Sequence, residues 1–481
     1  MRVACPSPTP LTRGVLHLFL IPGLASLLLA TVPAASLEDY RALAQQQTWQ
    51  EQWPDAAAPG GIATRQVTAG IWTQAMQACL DATGRLDIPA RAEPYYLDGP
   101  LVLKSGQMLV AAPTAEIRLR PGTNTCVVRN ANPGGFAAQP VDAALMPDTD
   151  ITVEGGIWTT LATGVPGANS NNRGASSREK PIPGTHGVIL LHNVRRVQVR
   201  NITVRQSRAF AVHLANAREF LVQGVKLEEH GRDGVHVNGP ASHGVIRDVS
   251  GVSHDDTVAL NAWEWQNYAP SYGAIHDITI ENIHGAPAGV HSADSIRLLP
   301  GVKRFPDGTL LDCPIHDIVL RNITDIREFK CYDQPNLELG RDRDFSAGMG
   351  TLRNIRMEGL VFHRPGLIEI HANAEGVAVR DVQLKFPQPP AGAEPCHLVR
   401  IGPKSQTYKG SHPHEPGRWT EIFSPDLDCT VKGMTVERVR WGVAGQALSF
   451  DEVVKAVTLA VNPEYPKTTP KGGTGKGVLT R

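Results

Sequence analysis

The chain has 481 residues, enough for one large domain or for two to three ordinary ones. Lys plus Arg and Asp plus Glu each total 47, so the formal charge is zero, and there is no electrostatic case for nucleic acid or an anionic membrane as a partner. Aromatic residues make up only 6%, against 46 Gly and 37 Pro, a mix that suits many short strands and turns and speaks against a helical bundle.

The N-terminus reads as an export signal over residues 1–35. Arg2 and Arg13 precede an apolar run, GVLHLFLIPGLASLLLA (14–30), and Ala34 and Ala35 offer small residues for cleavage. The run approaches the length of an uncleaved anchor, but Pro22 and the small-residue exit favour removal. A secreted or periplasmic protein is expected, not held at a membrane after cleavage. Cys5 lies in the signal, leaving Cys79, Cys126, Cys313, Cys331, Cys396 and Cys429, an even number that permits disulfides. No CxxC pair occurs, so neither a zinc site nor any other metal or cofactor is expected.

A leader over 36–68 is followed by GIWTQAMQACLDATG (70–84), which is helix-like, and by short strands over 85–122. A polar-ended cap of this kind shields the first open coil of a solenoid. The Gly/Ser/Asn-rich stretch 159–184 reads as a long loop.

Beyond it a short pattern, apolar–variable–turn residue–apolar, recurs. It appears as VRNI (199–202), VQGV (222–225), IRDV (246–249), IENI (280–283), LRNI (320–323), MEGL (357–360), VRDV (379–382) and VKGM (431–434). Its third position is always Asn, Gly or Asp, the residues that tolerate a left-handed bend between strands. A second pattern, apolar–variable–apolar, follows: VHL (212–214), VHV (235–237), VAL (258–260), IRL (296–298), LEL (337–339), IEI (368–370) and VRI (399–401). Period-two alternation makes these strands with one buried face. The first three members step by 23 residues, too short for a strand–helix–strand crossover and without a leucine-rich signature. The expected fold is therefore all-β, a right-handed parallel β-helix over 69–461, with a short helical cap and a flexible tail over 462–481. A capped solenoid is expected to be a monomer.

Stacking turns the alignment into geometry. With DGVHV (233–237), DTVAL (256–260) and DSIRL (294–298) in register, Asp233, Asp256 and Asp294 form one column, and Asp255 adds a fourth carboxylate. His213, His236, Ala259, Arg297, Glu338, Glu369 and Arg400 form a second, on the exposed face. Like charges about 5 Å apart push at least one carboxyl towards the protonated form, which places a general acid beside a general base. That pairing is what glycoside hydrolysis needs, although the spacing alone leaves retention and inversion open. Asp233, Asp255 and Asp256 are the candidate catalytic residues. Asp294, Arg297, His236 and His213 are candidate substrate-binding residues, with Arg297 suited either to an acidic sugar or to an ion pair with Glu338. The segment NAWEWQNYAPSYG (261–273) adds Trp263 and Trp265 as stacking platforms for sugar faces.

The block RDG (232–234) followed by HDD (254–256) resembles the NTD and (G/Q)DD motifs of the polygalacturonase family, glycoside hydrolase family 28, within the pectate-lyase-like β-helices. The stretch from Thr68 to Gly122 is similar to the cap and first coil of that superfamily. The resemblance implies that Asp233 and Asp256 activate water, that Asp255 donates the proton, and that the outcome is inversion. The family's histidine-bearing third motif falls on Ala293, Asp294 and Ser295, and its basic fourth motif on Glu338, Leu339 and Gly340. The expected activity is hydrolysis of a polysaccharide or oligosaccharide that carries uronic acid. Two alternatives stand beside it: a lyase whose aspartates hold Ca²⁺, and a non-catalytic glycan-binding β-helix.

Overall fold

The computed structural model describes residues 35–133, 148–162, 169, 187–263, 270–287, 289–290, 292–305, 307–332, 350–387, 398–401, 431–443 and 446–448. The expected signal, the greater part of the 159–184 loop, Trp265, Glu338 and the 462–481 tail lie outside these residues.

The chain forms a right-handed parallel β-helix. Its cap starts with a short 3₁₀ turn, Leu37–Leu43, and an antiparallel hairpin, Gln45–Pro54 with Ile62–Ile71. The helix expected near 70–84 spans Thr73–Thr83 and ends at Gly84, whose φ of 72° closes it. It buries Ala75, Met76, Cys79 and Leu80 in the same core as the coils, so the cap covers apolar rungs that would otherwise meet water.

In the coils, the first repeated pattern aligns as one ladder. Val199, Val222, Ile246, Ile280, Leu320, Met357, Val379 and Val436 stack in register. Ile202, Val225, Val249, Ile283, Ile323, Leu360, Val382 and Val439 form a second inward stack. Between them, Asn201, Gly224, Asp248, Asn282, Asn322, Gly359, Asp381 and Arg438 all have positive φ; VKGM (431–434) falls out of this register, since Val431 pairs with Ala374 and Gly433 stacks on Gly376 at another corner. Side chains of this turn column also bond from coil to coil, as Asn282 Nδ2 does to Asp248 Oδ1 at 3.0 Å.

The second pattern forms the ladder that carries the site. Val212, Val235, Val258, Ile296, Phe329, Ile368 and Val399 face inward on one side of it. The outward column between the apolar stacks runs His213, His236, Ala259, Arg297, Lys330, Glu369 and Arg400. Two corrections follow. The fifth rung is EFKCY (328–332), not LEL, so Lys330 takes the place assigned to Glu338. Asp256 pairs with Ser295 and Val258 with Ile296, so an irregularity at Thr257 moves Asp294 out of the aspartate column.

Cys79, Cys126 and Cys331 are separate buried thiols. Burial pushes the last two up to about 12, so they serve as packing residues. A very close coil-to-coil approach is at Gly155, which has φ 73° and whose added Cβ would meet the Ala111 carbonyl oxygen at 2.0 Å. Gly155→Ala should therefore lower stability by roughly 2 kcal/mol or more, read from urea unfolding. A loss under a few tenths would show that the two coils can part there at no cost.

Candidate active site

Two short turns and the start of a strand converge. His230, buried and pushed down to about 4 by that burial, donates from Nε2 to the Asp233 carbonyl at 2.7 Å and fixes the first turn. In the next coil, Ser253 Oγ accepts from the Asp255 amide at 3.2 Å and lies 3.0 Å from the Arg232 carbonyl. This hydroxyl-centred turn presents Asp255 beside Asp233. Asp256 opens the following strand, and its amide points at Asp233 Oδ1 at 3.4 Å. One oxygen of each aspartate lies within 4.8 Å of the other two.

The three carboxylates have different surroundings. Asp256 is fully buried and neutralised twice, by Arg297 Nε at 2.9 Å and by Lys330 Nζ at 2.8 Å, and it accepts from Ser295 Oγ at 2.5 Å. Asp233 is 2% exposed and accepts from His236 Nδ1 at 2.6 Å. Burial alone would raise the Asp233 carboxyl. The His236 hydrogen bond, with the fields of His236, Arg232 and Arg297, outweighs it and holds Asp233 far below the usual carboxylate range. Asp255 is the outermost, with 28% of its side chain exposed, and sits 3.1 Å from Arg232 and 3.9 Å from Arg297. Its partial burial and the charges of Asp233 and Asp256 push it up to about 6. One carboxyl thus keeps its proton up to about pH 6 while an adjacent one stays ionised.

Of the residues singled out in the sequence, the structure brings Asp233, Asp255, Asp256, His236 and Arg297 into one cluster. It gives His236 a different role and places three others elsewhere. His236 is 1% exposed and lies under Phe210, whose ring stacks on it at 4.0 Å and 4°; it touches Asp233 and is closed to a substrate. His213 is also fully buried, with Nε2 2.8 Å from Asn238 Oδ1 and Nδ1 3.3 Å from His192. Trp263 is 3% exposed and belongs to the core, its side chain packed beneath Gly301 where the chain turns after Asn261. Asp294 is fully buried as a turn cap: Oδ1 accepts from the Ser253 amide at 2.9 Å, and Oδ2 from the Ala286 amide at 2.7 Å.

Lys330, Ser295 and Arg232 are the members missed. FKC (329–331) carries the same apolar–variable–apolar signal as the other rungs, and starts six residues after Ile323 where LEL starts fourteen after it. The other coils leave 8 to 17 residues for that connection, so length favoured LEL over the shorter connection that the chain uses. The aspartates are close enough for a cation, but Arg232, Arg297 and Lys330 already offset them and would repel Ca²⁺.

No family model and no curated protein matches the chain. Solved structures do match, at low identity. The Streptococcus pneumoniae surface protein and adhesin PfbA is 12% identical, with 85% of this chain and 97% of that one covered and a TM-score of 0.44. A hyperthermoactive exopolygalacturonase from Thermotoga maritima is 10% identical, covering 86% and 96%, with a TM-score of 0.43. The family 28 exopolygalacturonase of Yersinia enterocolitica is 12% identical, covering 84% and 85%, with a TM-score of 0.39. The chain is thus similar to polygalacturonases and to other parallel β-helix proteins, an adhesin among them.

Proposed function

We propose that the protein is an exported glycoside hydrolase that cleaves an acidic polysaccharide or oligosaccharide with inversion. The observation that carries this reading is Asp255, an accessible carboxyl that retains its proton to about pH 6 beside an ionised Asp233. In the reaction, water attacks the anomeric carbon and gives its proton to Asp233. The glycosidic C–O bond breaks, and Asp255 delivers its proton to the leaving oxygen. Inversion is favoured because neither buried aspartate is open to attack a sugar carbon: Asp256 is held by Arg297, Lys330 and Ser295, and Asp233 by His236.

Charge supports an acidic substrate. With Asp255 protonated, Arg232, Arg297 and Lys330 face two carboxylates, which leaves one positive charge in excess. The test is release of reducing ends from a panel of uronic-acid-containing and neutral polysaccharides. Lys330→Met should raise KM on the best acidic polymer about tenfold or more, the scale of one lost charge-assisted hydrogen bond. Equal losses on acidic and neutral polymers would remove the charge argument. No turnover on any polymer would reduce the site to a glycan-binding groove.

A further inference from the structure

The Asp233–His236 pair is a built arrangement that hydrolysis by two carboxylates does not itself require. His236 lies on the strand Val235–Ser253, three residues after Asp233, and is packed on every side that the described residues show. Phe210 stacks flat on its ring, and His213 from the previous coil meets it edge-on at 5.2 Å between centroids. Because Asn238 Oδ1 can only accept, His213 Nε2 carries the proton in that hydrogen bond. At Asp233 Oδ2 the same logic puts a proton on His236 Nδ1, since a carboxylate accepts. The 2.6 Å distance is that of a charge-assisted hydrogen bond.

We propose that His236 is a positioning residue that divides the labour between two neighbouring carboxylates. By donating from Nδ1 it fixes Asp233 as the anion, and so leaves Asp255 as the group that carries the proton. The charged groups around Asp233 make this a specific assignment. Arg232 beside it and Arg297 two coils on are both engaged with Asp255 or Asp256, and Lys330 is engaged with Asp256. His230 bonds the Asp233 backbone and leaves its carboxylate untouched. Among the described residues, His236 is the side chain that donates to the Asp233 carboxylate. Without it, burial and the adjacent Asp255 and Asp256 would favour a proton on Asp233. The two aspartates would then compete for one proton, with the base lost as often as the acid is kept.

The inference rests on the hydrolase reading and is tested by pH profiles of kcat/KM on the polymer the wild type cleaves best. The wild type should show no fall on the acidic side through the ordinary carboxylate range near pH 4. His236→Phe keeps a flat ring against Phe210 but removes the donor. It should bring an acidic limb into that range and cut the rate tenfold or more below it, with KM moved less than about twofold. His236→Asn places an amide N–H near the Nδ1 position and should restore part of the lost acidic side. Should the Phe variant fail to fold, the Asn profile against wild type decides alone, since a neutral donor still moves the limb upward. Profiles of unchanged shape, lowered equally at all pH, would overturn the inference and leave His236 a packing residue. Absence of hydrolysis by the wild type is a separate result, which overturns the reading beneath it.

Discussion

Asp255→Asn should be inactive and, at neutral pH, more stable than the wild type. The loss of rate is the larger effect: removing a positioned general acid costs on the order of 10²–10⁴-fold in kcat. The gain in stability follows from the same environment. Asp255 stands at about 6 in the folded protein against an ordinary 3.8, so the folded state prefers its protonated form. A group with a raised folded pKa contributes fully below its unfolded value, and that contribution is lost as pH rises through the folded one. The wild type therefore loses stability between about pH 4 and pH 6. With 28% of the side chain exposed to solvent screening, the loss is on the order of 1–2 kcal/mol. Asparagine cannot ionise and avoids it. Thermal unfolding of both proteins at pH 4 and pH 7 is the measurement. The variant should melt higher at pH 7 only. Equal differences at the two pH values would mean that Asp255 is not held protonated, and an active variant would remove it as the acid. A site that trades stability for chemistry in this way marks function better than a conserved-looking motif does.

The coil architecture was legible because two periodicities coincide. Alternation assigned Val235, Val237, Val258 and Leu260 to the core, and the Asn, Gly or Asp after each first strand marked a left-handed corner that the backbone adopts. The aspartate cluster was legible for the same reason, since neighbouring coils bring Asp233 and Asp256 side by side. What escaped lies where local geometry departs from the repeat. A single irregularity at Thr257 shifted Asp294 from the groove into a turn, and no residue type announces such a shift in advance. Two segments with equal alternation, FKC and LEL, competed for one rung, and the choice decided whether a lysine or a glutamate faces the site. Aromatic residues beside a groove also have two uses, and Trp263 took the buried one, beneath Gly301.

Asp294→Ala should be among the most destabilising single changes in the chain, although the residue touches no substrate in the proposed reaction. Its carboxylate is fully buried and engages four donors: the Ser253 and Ala286 amides at 2.9 and 2.7 Å, the Ser292 hydroxyl, and Arg364 Nη2 at 3.3 Å. Alanine would orphan two buried amides, at about 1–3 kcal/mol for each. It would also leave Arg364 without this partner, and breaking a buried ion pair from one side costs about 3–5 kcal/mol. Relaxation and the remaining Arg364 contacts, with the Asp325 carbonyl at 3.0 Å, reduce the sum, so a loss of about 4 kcal/mol is expected in urea unfolding. Asp294→Asn keeps one acceptor and should cost about half of that. The position also bears on chemistry by one further step. The Ser253 amide held by Asp294 belongs to the residue whose Oγ accepts from the Asp255 amide. Loosening that turn should let Asp255 move away from Asp233, so the Asn variant should lose kcat more than it raises KM. A stable Ala variant with KM raised and kcat intact would instead return Asp294 to the groove as a substrate ligand.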